Sequence, residues 1–180
     1  MALGQSQLIK AIYAALEKDR HVNLARSRIH ITLDGHLVLH GKVPNIVAKR
    51  VAVRLARQAA AEMEVEDRLR VETEALGDPA LRDKVGDALS YEPAIANPNI
   101  IVEANGHQLT LRDSRVTDSF VHALVKDGVV TLRGRVDSIS HYWLIEAILW
   151  WIPGCQRIDN LIIVGSSLDG DLDNSLTDTV

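Results

Sequence analysis

The chain has 180 residues, a formal net charge of −4 and a single cysteine. Its apolar fraction of 47% and charged fraction of 24% are those of an ordinary soluble globular protein. One cysteine, Cys155, excludes an internal disulfide and offers no thiolate metal-site spacing. The charge is uneven: residues 1–73 carry 12 Lys/Arg against 8 Asp/Glu, and residues 74–180 carry 8 against 16. A basic first half can face an anionic partner, or the acidic second repeat of a neighbouring chain. The plainer account is surface variation plus an acidic C-terminal tail.

Helix periodicity appears first from about Ser6 to Asp19, where Leu8, Ile12, Ala15 and Leu16 form an apolar stripe and Ser6 is placed as N-cap. Residues 27–33 alternate as a strand, with Ile29, Ile31 and Leu33 inward. A second strand carries Leu37, Leu39 and Val43. Setting Ile31 opposite Leu37 leaves a three-residue loop, Leu33-Asp34-Gly35, with Gly35 left-handed. Gly41 lies on the buried parity, where a helix could approach closely. Asn45 can cap a helix over about 46–62, buried through Val47, Val51, Leu55 and Ala59, with Arg50, Arg54 and Arg57 on another face. A third strand over 64–72 closes the unit through Val65, Leu69 and Val71, and residues 73–78 are a linker.

The same order then returns. Asp78 as N-cap, with Pro79 at the first helical position, opens a helix carrying Leu81, Val85, Ala88 and Leu89. A hairpin of about 97–118, turning at Asn105-Gly106, is additional to the first copy. Strands follow at about 120–126 and 129–136. Ser138 caps a helix over 139–152 that Pro153-Gly154 ends, and the last strand is 157–164. Its run Leu161-Ile162-Ile163-Val164 predicts a strand covered on both faces. Residues 165–180 read as an acidic disordered tail.

The two copies are related by an offset of 93, taken without a gap from Ile29/His122 to Val71/Val164. Identical pairs are Asp34/Asp127, Gly35/Gly128, Leu39/Leu132, Gly41/Gly134, Val43/Val136, Ile46/Ile139 and Val71/Val164. The expected fold is therefore α+β: two tandem helix–strand–strand–helix–strand units, 1–73 and 74–164, each with helices on one face of a small mixed sheet.

Candidate sites are few. Lys49, Arg50, Arg54 and Arg57 could meet lipid phosphates from one helix, each basic residue contributing roughly 1 kcal/mol near an anionic bilayer. A solvated helix face is the bland alternative. Helix 139–152 is apolar nearly all round, with Tyr142, Trp143, Trp150 and Trp151 as candidate interface residues. It could pack on the first repeat or a second subunit, lie under the inserted hairpin, or dip into a membrane interface. His30, His36 and His40 share one face of the first hairpin, where a polar surface or protein contact is favoured over a metal. Asp137, Ser140 and His141 are neighbours in sequence on one helical turn and cannot form a triad. No phosphate loop or dinucleotide fingerprint occurs, so neither cofactor nor metal is expected. An acidic chain without an aromatic–basic platform disfavours nucleic acid. Two small units leave apolar surface uncovered, so a homo-oligomer is expected.

The most apolar run, Trp143 to Ile152, is far shorter than the roughly 20 residues a spanning helix needs. The N-terminus lacks a basic region followed by an apolar one. As written, the sequence reads as cytoplasmic, or as periplasmic or envelope-associated if a leader has been removed.

The hairpin pattern V-x-V-x-x-D-G-x-V-x-L-x-G-x-V resembles the BON-domain family of bacterial proteins. The resemblance lies in Asp34-Gly35, Leu37, Leu39, Gly41 and Val43, and again in Asp127-Gly128, Val130, Leu132, Gly134 and Val136. A second family pattern, G-V-x-x-V-x-N-x-L, is similar to Gly154 through Leu161, with the Asn160-to-Leu161 spacing one residue short. In the first copy this pattern has decayed, at Ala61 to Leu69. The resemblance implies tandem non-catalytic modules, often envelope-associated, that bind phospholipid or partner proteins. It carries over no catalytic residues.

Overall fold

The computed structural model describes residues 4–61, 63–72, 77–114 and 116–165. Residues 73–76 of the linker expected at 73–78, and the tail beyond Gly165, lie outside them. The chain divides into two compact units, Met1–Ala75 with Trp150–Arg157, and Leu76–Leu149 with Ile158–Val180.

In the first unit, α1 (Gln5–Lys18) is followed by β1 (Arg28–Asp34), β2 (His36–Val43), α2 (Ile46–Ala60) and β3 (Val65–Val71). The sheet order is β1-β2-β3, antiparallel then parallel. The α1 stripe Leu8, Ile12 and Leu16 is buried, but Gly4 rather than Ser6 is the N-cap, and Ser6 sits in the first turn. Asn45 caps α2, its side-chain oxygen accepting from the Ala48 N–H at 2.8 Å. The buried side of α2 is built largely from small residues, Ala48, Ala52 and Ala56 with Val51 and Val53. Val47, Leu55 and Ala59 are only half-buried. Alanines let the helix lie close to its neighbours, so the buried stripe is rotated from the one the bulkier side chains suggested.

The first hairpin pairs Ile31 with Leu39 and Leu33 with Leu37, and turns at Gly35 (φ +74°) between the paired Asp34 and His36. The expected three-residue loop is thus replaced by a tighter turn that adds Leu33 to the inward row. A shift of two leaves each side chain on its original face, so parity could not distinguish the two registers.

In the second unit, α3 (Gly77–Ser90) leads to a short 3-10 turn at Pro93–Ile95. Then come β4 (Asn99–Ala104), β5 (His107–Arg112), β6 (Phe120–Lys126), β7 (Val129–Val136), α4 (Ile139–Leu149) and β8 (Arg157–Val164). The inserted hairpin extends the sheet to five strands, ordered β5-β4-β6-β7-β8, with β4 parallel to β6. Its Asn105-Gly106 turn has φ of +52° and +77°, as a type I′ turn requires. Asp127-Gly128 (φ +51° and +74°) forms the same turn between β6 and β7. Asp78, expected as an N-cap, lies inside α3, and its carboxylate accepts from the backbone N–H groups of Asp127 (2.7 Å) and Gly128 (2.9 Å).

The two hairpins show that the repeat has a gap. Ile29 faces Gly41, and Val121 faces Gly134. The first strands therefore match at an offset of 92 and the second strands at 93, the extra residue entering at the turn.

Gly41 (φ +121°) and Gly134 (φ +140°) recur because a neighbouring strand lies close, not a helix. A Cβ at Gly41 would stand 1.8 Å from the Arg28 carbonyl oxygen, and one at Gly134 would stand 2.0 Å from that of Phe120.

Helix α4 ends at Leu149, short of the Pro153-Gly154 stop, and Trp150–Arg157 packs within the first unit. Strand β8 is not covered on both faces: Ile162 is buried, while Leu161 and Ile163 are 57% and 62% exposed.

Candidate functional site

The four candidate headgroup residues do not form one open basic face. Lys49 turns toward the edge of β3, where Nζ donates to the Leu69 carbonyl at 2.6 Å and stands 3.3 Å from Asp67. Arg50 lies over the Trp150 ring, 4.2 Å from its centroid. Such a cation–π contact is worth about 0.5–2 kcal/mol. Arg54 is 3.8 Å from Asp19, whose carboxyl is held below its usual range by the His21 backbone N–H and, to a lesser degree, by the His21 ring and Arg54. Arg50, Arg54 and Arg57 are all exposed, but Arg50 is engaged by Trp150, while Lys49 is half-buried.

The aromatic candidates also separate. Tyr142 is half-buried and edge-on to Trp143, with centroids 5.0 Å apart, both in the second unit. Trp150 and Trp151 belong to the first unit. Trp150 lies beneath Arg50, and Trp151 is 5.8 Å from the His21 ring. Arg50 and Trp150, read from sequence as parts of separate sites, are thus partners.

Gln156 was missed by sequence reasoning. Its carboxamide donates to the Val71 carbonyl (2.5 Å) and accepts from the Val71 N–H (3.1 Å). With Lys49 on the Leu69 carbonyl and Asp67 Oδ1 accepting from the Leu69 N–H, side chains occupy the free edge of β3. This protects an edge strand from pairing with another chain. Beside it opens a cleft of about 740 Å³ lined by Lys42, Lys49, Asp67, Arg68, Arg70 and Gln156, among others.

On the open face of the first sheet, His30 and His40 stack with centroids 5.4 Å apart. His36 Nε2 lies 3.1 Å from Glu66, which also accepts from Arg68 at 2.6 Å. These bonds, Arg68 first and His36 second, hold the Glu66 carboxyl below its usual range. Among the described residues no group of three His, Cys, Asp or Glu is placed to hold a metal ion.

The remaining chemistry-bearing groups serve structure. Asp137 accepts from the Ser119 hydroxyl at 2.5 Å, and the Ser138 hydroxyl caps α4 by accepting from the His141 N–H. Cys155 is buried, and burial pushes its thiol up to about 12. The thiolate is the reactive form, so iodoacetamide at pH 8 is expected to label Cys155 only when denaturant is present. Rapid labelling of the native chain would contradict this burial.

Among the described residues no helix is long and apolar enough to cross a membrane, which says nothing of a β-barrel. The family model described as BON domain matches residues 5–73 and 108–166, more than half of the chain. None of the curated proteins matches. Among the similar solved structures are two of CdsD, a structural protein of the type III secretion system of Chlamydia trachomatis. Its C-terminal domain has 17% identity and a TM-score of 0.27, covering 90% of this chain and 99% of that one. The second has 15% identity and a TM-score of 0.28, with 96% and 99% covered.

Proposed function

We propose that this chain, which belongs to the BON domain family, is a non-catalytic module that docks its first unit on an anionic phospholipid surface. The observation that carries this reading is the exposure of Arg54 and Arg57 on α2, within a half of the sequence where basic residues outnumber acidic ones. Exposed cations beside an anionic bilayer gain energy without changing conformation. Arg50 is better read as a clamp on Trp150, so its loss tests packing as well as binding.

A second reading, an adaptor or self-assembling protein, is supported by apolar surface on the second unit. Phe120, Leu161 and Ile163 lie on the outer side of its sheet, and Ile139 and Trp143 of α4 are more than half exposed. Exposed apolar groups of this size favour contact with another protein. In this reading the apolar stretch expected at 139–152 contributes through Trp143, while Trp150 is engaged by Arg50.

The two readings separate in one experiment. On immobilised anionic bilayers, Arg54/Arg57→Ala is expected to reduce binding about tenfold, and Trp143→Ala to leave it unchanged. In light scattering the expectation reverses: wild type is a dimer or larger, and Trp143→Ala shifts it toward monomer. Equal bilayer binding by wild type and the α2 variant would overturn the lipid site.

A further inference from the structure

The strand registers place six basic side chains in two rows on the open face of the first sheet. Arg28, Lys42 and Arg70 are consecutive partners across β1, β2 and β3, and His30, His40 and Arg68 form the next row. Arg28, His30, Lys42, Arg68 and Arg70 are exposed and His40 is half-buried. Like charges directly opposite one another across a sheet destabilise it. The first row nevertheless sets three permanent cations side by side. Among the described residues, none of the three has a carboxylate within ion-pair distance.

Beyond the two rows stand Asp34 on β1, His36 on β2 and Glu66 on β3, with Glu64 and Glu72 flanking β3 at its two ends, and Glu66 is already shared by Arg68 and His36. The cleft beside β3 reaches the same residues, being lined by Lys42, Arg68 and Arg70. Its volume of about 740 Å³ is within the range of small-ligand sites. On the second unit's sheet, His122, Arg133 and Arg135 keep part of this pattern, but Phe120 stands where the first copy has Arg28 and the outward residues of β8 include Leu161 and Ile163, so the full grid belongs to the first copy.

We infer that this face binds an anion bearing two or more closely spaced phosphate-type groups. Arg28, Lys42 and Arg70 supply the charge, Arg68 a guanidinium fork, and the stacked His30/His40 pair further donors. Two guanidinium groups and an ammonium on a rigid sheet match several oxyanions at once, and charge-assisted hydrogen bonds are the strong ones. The anion also relieves the repulsion among the row, so the unbound face is held at a cost to stability. Binding here does not depend on the α2 reading, and the two fail separately.

The test is isothermal titration of the full chain with inorganic triphosphate at fixed ionic strength, paired with thermal unfolding. Wild type is expected to release or take up heat saturably, and its unfolding midpoint to rise with ligand, as linkage requires. Lys42→Gln and Arg70→Gln are each expected to weaken triphosphate binding about tenfold while raising the midpoint of the unliganded protein. Arg70→Lys, which keeps the charge, is expected to stay within a few-fold of wild type, and Arg54/Arg57→Ala to bind triphosphate normally. Vesicles of phosphatidylglycerol and of phosphatidylcholine distinguish the sources. Competition between triphosphate and anionic vesicles assigns the site to lipid headgroups, and its absence assigns it to a soluble anion. No saturable binding by wild type, or Gln variants that titrate like wild type, would overturn the proposal.

Discussion

Replacing Gly41 or Gly134 by alanine is expected to lower the stability of the unit that carries it by about 3 kcal/mol or more. That is on the order of 10 °C in the melting temperature of a unit of this size. Two effects add. Both residues hold positive φ, which alanine tolerates poorly, and both place the would-be Cβ at 1.8–2.0 Å from a carbonyl oxygen of the adjoining strand. Neither oxygen can move without opening the hairpin. Gly35 is the internal control: its φ is +74°, but nothing lies within 4 Å of a Cβ built there. Gly35→Ala is therefore expected to cost only about 1–2 kcal/mol. Denaturant unfolding of the three variants checks the order, and a Gly35 variant as unstable as the others would refute the close-approach explanation.

Ile152→Ala is expected to destabilise the first unit, although Ile152 follows the second copy's helix in sequence. Ile152 is 6% exposed and lies in the segment Trp150–Arg157, which groups with Met1–Ala75. Removing a buried isoleucine to alanine costs about 2–5 kcal/mol. Hydrogen exchange by mass spectrometry should show faster exchange in β1, β2 and β3, with β4, β6 and β7 retaining their protection. Faster exchange confined to β6 and β7 would place the segment in the second unit's core instead.

Much of the architecture was legible because it depends on period and on punctuation. The two D-G turns, the Asn45 cap, the Asn105-Gly106 hairpin and the parity that gathers His30, His36 and His40 each follow from a short stretch of residues. The register of the first hairpin did not, because a two-residue shift preserves both faces. The one-residue gap between copies was hidden for a related reason. His122 aligns with Ile29 in the ungapped repeat, but the turn of the second hairpin holds one residue more, and only pairing to Gly134 shows that Val121 is the true counterpart.

The site was less legible than the fold. Arg50, Arg54 and Arg57 do share a helix surface, yet their freedom is set by partners distant in sequence, Trp150 and Asp19. The end of α4 at Leu149 is likewise tertiary: no proline or glycine stands there, and the tryptophans that continue the helical pattern make their contacts in the first unit, Trp150 beneath Arg50 and the half-exposed Trp151 beside His21. The two basic rows could be assembled only once β3 was placed in register beside β2. From sequence alone Arg68 and Arg70 were surface residues of a third strand, with no assigned relation to His40 and Lys42.

The exposed face of β8 carries the same lesson. Four consecutive apolar residues ordinarily mark a strand covered on both sides. Here Ile162 is inward, and Leu161 and Ile163 look outward from a strand at the end of the sheet order. This apolar surface is what keeps a protein-contact role in view for the second unit.

The most direct test of the central claim is co-sedimentation of the wild-type chain with phosphatidylglycerol vesicles across a salt series, with phosphatidylcholine vesicles alongside. Docking through the first unit's exposed cations predicts binding to the anionic vesicles at low salt, progressive release as salt screens the charges, and no binding to the neutral vesicles. Failure to sediment with anionic vesicles at any salt, or equal binding to both lipids, would contradict it.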